Sequence, residues 1–133
     1  MNPSELQSVW APRLLAVLRM VVAVLFLEHG TQKLIGFPPP MDPGRSLSTL
    51  MIAQGIIETV GGILLALGLF TRPVAFILCG DMAVAYFMAH APRNFFPALN
   101  MGDAAILYCF VFLYFVVAGP GEWSIDAARS RSR

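Results

Sequence analysis

Four stretches of this chain, 11–34, 48–70, 73–91 and 100–118, are apolar over the length a helix needs to cross a bilayer, roughly 18 to 25 residues. Hydrocarbon offers no water to a backbone N–H or C=O, so each stretch must satisfy those groups internally as an α-helix. Composition agrees. Charged residues make up 13% of the 133-residue chain, about half the share in a soluble domain, and too little to cover a water-soluble core. The 9 Lys and Arg against 8 Asp and Glu leave no basic excess for a phosphate backbone, which excludes nucleic acid and leaves the lipid bilayer as partner. The expected fold is all-α: a single domain over 1–133, a four-transmembrane-helix bundle running up-down-up-down.

The breaks carry turn chemistry: Pro38, Pro39 and Pro40 inside the loop after the first stretch, Thr71-Arg72-Pro73 after the second, Pro92 and Pro97 after the third, and Gly119-Pro120-Gly121 after the fourth. The second break is so short that its flanking helices form an antiparallel hairpin. The first stretch follows Glu5 rather than a basic cluster, is too long for a signal peptide and ends in charged residues, so it reads as a retained helix. Four crossings put both termini on one side. That side holds Arg13, Arg72, Arg129, Arg131 and Arg133 against Lys33, Arg45 and Arg93 opposite, which makes both termini cytoplasmic. Trp10, Phe37, Phe95, Phe96 and Trp123 fall at span ends, where rings anchor at the headgroups. The tail 124–133 reads as disordered. Gly55, Gly61, Gly62, Ala66 and Gly68, with Ala85 and Ala89, read as sites of close helix packing. Cys79 and Cys109 lie in separate runs without C-x-x-C spacing and read as small core residues.

Polar residues inside the stretches carry more information, because an ionisable side chain at mid-membrane costs about 2.5 to 3.5 kcal/mol. Each stretch holds one carboxylate: Glu28, Glu58, Asp81 and Asp103. At a rise of about 1.5 Å per residue, Arg19 and Asp81 fall about 12 Å from the cytoplasmic edge and Glu58 about 15 Å. A buried ion-pair tier is therefore expected, Arg19 pairing with Glu58, Asp81 or both. Glu28, His29, Gln32, Lys33, Gln54, His90, Asn100 and Asp103 form a second tier near the outer surface. Two readings stand for it: interhelical hydrogen bonds that fix helix positions, or a ligand-binding pocket open to the periplasmic side that takes a polar head or passes protons. No H-x3-H, E-x-x-H or C-x-x-C spacing supports a metal, so no metal site is expected, and both histidines are too shallow for b-type haem.

The strings LEHGTQKLIGF, ETVGGILLALGLFTRPVAF, GDMAVAYFMAHAPRNFFPALNMGDAAILY and AGPGEW, taken together, resemble the DoxX family of small four-helix membrane proteins, over nearly everything from Arg13 to Trp123. The family pattern falls on Glu28, His29, Gly30, Gln32 and Lys33, on Glu58 and Gly62, on Asp81, Ala85, Tyr86 and His90, and on Asn100, Gly102 and Asp103. The chain departs from it at Asp103, where many relatives carry glutamate, and at Met101, where they carry glycine. The resemblance implies a multi-pass protein of the bacterial inner membrane. Some relatives are small subunits of quinol or thiosulfate:quinone oxidoreductases, while distant ones resemble assembly factors. The expected function is thus a redox-linked, quinone-interacting accessory subunit of a membrane oxidoreductase system. Quinone is its ligand, and an oxidoreductase subunit or further copies of the chain are its partners. No side chain reads as an electron carrier. The alternatives are a non-enzymatic scaffold or assembly factor and a small proton or solute permease.

Overall fold

Helix α1 runs over Pro3–Ile35, α2 over Thr49–Leu67, α3 over Thr71–His90 and α4 over Asp103–Ala118 in the computed structural model, which describes residues 2–132. A short helix, α5, follows over Ile125–Arg131, and no strand occurs among the described residues. Arg133, counted above with the cytoplasmic cations, lies outside them. The first three helices are long and apolar enough to cross a membrane, and α4 is a shorter apolar helix of 16 residues. Its length is about 24 Å, less than the roughly 30 Å of a hydrocarbon core.

Local chemistry moves three of the boundaries away from the hydropathy limits. The helix expected from residue 11 begins at Pro3, because Asn2 and Glu5 form a reciprocal cap: Glu5 N–H donates to Asn2 Oδ1 at 2.9 Å and Asn2 N–H to Glu5 Oε2 at 3.0 Å. The helix passes through a wide π turn at Leu6–Trp10. Helix α2 stops at Leu67 rather than 70. Gly68 takes the left-handed conformation (φ 64°) and Leu69 N–H closes back onto Leu64 O at 2.9 Å, which ends the helix. The fourth helix starts at Asp103, not 100. Pro97–Asn100 forms a turn of its own, and Met101 (φ 60°) breaks the path.

Between lipid-embedded helices there is no hydrophobic drive, so backbones must approach closely for dispersion to hold them. Helices α1 and α2 do this at Gly30, where a Cβ would come to 2.7 Å of Thr59 N and 3.0 Å of Gly55 O. At Gly62 it would come to 3.2 Å of Leu27 Cβ. Gly61 serves the other side of α2, leaving room for Leu78 of α3. Phe26 closes α1 onto α4, edge-on to Phe112 at 4.9 Å between centroids and tilted against Tyr108 at 5.4 Å. The outward faces are apolar as well: Leu14, Val21, Ile56, Phe76, Phe110 and Val117 are all exposed, the pattern of helices that face lipid.

The segment expected to be a disordered tail is helical because both its start and its docking are specified. Ser124 Oγ accepts from Ala127 N–H at 3.1 Å, capping α5. Asp126 accepts from Phe70 N–H at 3.0 Å and Thr71 N–H at 2.8 Å, so its carboxylate satisfies the open N-terminus of α3. Nearby, Glu122 N–H donates to Pro12 O at 3.1 Å and Arg13 pairs with Glu122 at 3.4 Å, so segments near the two ends of the chain meet. Partial burial pushes the Asp126 carboxyl up, but the N–H groups of Thr71 and Phe70 and the charge of Arg129 outweigh it and hold it below its ordinary value.

A depressed carboxyl stabilises the fold above its unfolded pKa of about 3.9 and loses that stability as pH falls through the lower folded value. Asp126→Ala is expected to cost about 1 kcal/mol of thermal stability in detergent at neutral pH. The difference from the unmodified protein should close as pH is lowered below about 4. Equal melting of the two proteins at neutral pH would show that α5 is not anchored there.

Candidate functional site

Lys33 of α1 reaches Glu58 of α2, its ammonium nitrogen 2.6 Å from both carboxylate oxygens. Glu58 is 1% exposed and Lys33 half-buried, so breaking the pair would leave the Glu58 carboxylate as an uncompensated buried charge. Helix α3 brings Asp81 beside Glu58, Lys33 and Gln54. One Asp81 oxygen, Oδ2, is buried without a hydrogen-bond partner among the described residues. His29 lies one turn before Lys33 on α1 and meets Tyr108 of α4 edge-on at 6.1 Å. Glu28 and His29 are exposed, while Gln54 and Lys33 are half-buried. Four helices thus contribute to one polar cluster, with two carboxylates against one ammonium at its centre.

This grouping differs from the expected tiers. Arg19 meets neither Glu58 nor Asp81. It is fully buried, and its guanidinium donates to four backbone carbonyls: Leu65 and Ala66 at 2.6 Å each, Pro120 at 2.8 Å and Trp123 at 2.9 Å. Leu65 and Ala66 lie in the last turn of α2, whose carbonyls have no intrahelical partner and carry the negative end of the helix dipole. The cause is a register offset. The end of α2 lies level with Arg19, not with Ala11, because α1 runs past it, so Glu58 stands about 10 Å farther along. Arg72 repeats the device on α4, donating to Val116 O and Val117 O at 2.6 Å each. The sequence reading missed that role, and the spacing of Arg72 from α4 offers no signal for it.

The remaining outer-tier residues split away from the cluster. His90, at the end of the wide π turn Tyr86–His90, donates from Nδ1 to Asn100 O at 3.0 Å and stacks on Tyr86. Asn100 is buried, donates to Asn94 O at 2.8 Å and accepts from Gly102 N–H at 2.8 Å. These two lock the connection into α4. Gln32 ties the long loop through Pro39 O at 3.4 Å, and Asp103 is exposed in the first turn of α4. Met101 is held at φ 60° as the left-handed end of the turn. That conformation costs a side-chain-bearing residue about 1 to 2 kcal/mol.

Comparison with known proteins gives consistent results. The DoxX family pattern matches residues 14–91. A Haemophilus influenzae protein described as uncharacterized is 47% identical over 88% of this chain and 91% of its own. An uncharacterized membrane protein of Mycobacterium tuberculosis is 30% identical over 86% of this chain and 80% of its own, and the Escherichia coli inner membrane protein YphA is 29% identical over 86% and 89%. No solved structure matches the chain. With the apolar helices, these relatives make it a multi-pass protein of the bacterial inner membrane.

Two outcomes follow from the site geometry. Lys33→Met should destabilise the protein by about 3 to 5 kcal/mol, and adding Glu58→Gln should recover most of that loss, because the damage comes from a stranded charge. Thermal unfolding of the single and double variants measures it, and additive losses would contradict the pairing. Met101→Gly should raise stability by about 1 kcal/mol in the same assay by relieving the left-handed backbone.

Proposed function

The chain belongs to the DoxX family, and from that premise we propose that it is a quinone-interacting accessory subunit of a membrane oxidoreductase system. In this reading the chain crosses the bilayer four times, up-down-up-down, with both termini cytoplasmic. The clustering of Arg13, Arg19, Arg72 and Arg129 around the ends of α2, α3 and α4 supports that orientation.

The observation that carries the reading is the composite site at Lys33, Gln54, Glu58 and Asp81. Lys33 and Gln54 are donors suited to a ring carbonyl, and the unpartnered Asp81 oxygen is a place for a hydroxyl proton to be received. An apolar groove of about 250 Å³ lies between α2 and α3, lined by Ile57, Val60, Gly61, Leu64, Ile77 and Leu78. Ile77 and Asp81 stand one turn apart on α3, so an isoprenoid tail in the groove would carry its head toward the cluster. A layer of Val22, Ala23, Phe26 and Leu65, all buried, separates Arg19 from the Lys33–Glu58 pair, which speaks against a hydrated path through one chain.

Lipid extraction of the purified protein followed by mass spectrometry tests the reading. Quinone is expected at near one per chain, and Asp81→Asn should reduce retention about tenfold or more, the effect of losing a hydrogen bond of roughly 1.5 to 3 kcal/mol. Extracts without quinone would overturn it, and a co-purifying membrane protein in their place would favour the scaffold.

A further inference from the structure

Cys79 of α3 and Cys109 of α4 carry their sulfur atoms 3.6 Å apart, both as free thiols and both half-buried. Thirty positions separate them in the chain, and only the packing of α3 on α4 brings them together. A disulfide has S–S at about 2.0 Å, so a side-chain rotation that draws the sulfurs together by about 1.6 Å would bond them without a new fold. Cys79 lies eight residues into α3, about 12 Å from its N-terminal end, and Asp81 follows two residues later, about 3 Å on. The sulfur pair and the polar cluster therefore sit at nearly the same depth, on different sides of α3. With α3 crossing the bilayer, that depth lies within the hydrocarbon, which water-soluble thiols and disulfides do not enter. The outward surface beside Cys79 is bare, since Gly80 is exposed and a side chain there would meet nothing within 4 Å.

We propose that Cys79 and Cys109 form a two-electron redox pair whose oxidant is a lipid-soluble quinone; this rests on the quinone reading above. The step balances. Two S–H bonds break and one S–S bond forms, and the two electrons and two protons released pass to the quinone, which becomes quinol. The pair supplies within this chain the electron-carrying group that the sequence reading did not find. In its oxidised form it also ties α3 to α4 covalently.

The full-length protein in lipid nanodiscs is incubated without oxygen with decylubiquinone, whose fully substituted ring accepts electrons but does not add thiols. Samples are denatured, alkylated with N-ethylmaleimide and weighed intact, quinol is followed by its absorbance, and retained quinone is measured by lipid extraction. Oxidation predicts that the chain loses the mass of two hydrogen atoms and takes up no maleimide, with one quinol formed per chain. Cys79→Ser should form no quinol while retaining quinone as the unmodified protein does. Retained quinone with both thiols still alkylated overturns this inference and leaves the quinone reading intact. Loss of both retention and oxidation overturns the two together.

Discussion

Arg19 sets the terms for the rest of the structure. A guanidinium keeps its charge at any accessible pH and brings five N–H donors into a region without water. The chain answers with carbonyls rather than carboxylates: two from the last turn of α2 and two from the segment after α4. One side chain on α1 thereby fixes the end of α2 and the return of the chain after α4. It also explains a demand for absent side chains nearby. At Gly68 a Cβ would collide with Ser124 and crowd Arg19, and at Gly121 it would come to 2.6 Å of Pro12 O.

The same principle, a side chain completing a helix end it does not belong to, recurs at this end of the bundle. Arg72 completes α4 and Asp126 completes α3. Cations meet C-terminal carbonyls and an anion meets N-terminal amides, each in agreement with the local helix dipole. The effect is a polar plate that holds the α2, α3 and α4 ends in register. Because that register is set by Arg19, Lys33 falls within reach of Glu58, and Asp81 falls beside them. The candidate site is thus positioned partly by contacts about 10 Å or more away.

Glu58 is buried and Lys33 half-buried, so their attraction is screened less than at an exposed surface, and the Asp81 oxygen left without a partner among the described residues has a strong incentive to find a donor. The proposed quinone, a hydrogen-bonding head on an apolar tail, would answer both the cluster and the groove beside it. Cys79 and Cys109 lie at nearly the same depth on another side of α3, and the redox chemistry proposed for them would match a quinone in stoichiometry.

The sequence alone determined the all-helical architecture, the apolar outer faces and the family, because hydropathy over a span and the absence of water for the backbone leave little choice. It also named nearly every residue of the cluster, since a charged group in an apolar run stands out by its cost. It did not give the partners. Depth counted from assumed span edges put Arg19 within about 3 Å of Glu58, but the Asn2–Glu5 cap lengthens α1 and Gly68 shortens α2, and the helices end up shifted past one another by about 7 Å more. The partner of Lys33 and the meeting of Cys79 with Cys109 therefore belong to the tertiary structure, because interhelical register is decided by where helices end and what completes them, and the spacing of residues within a span carries no record of it.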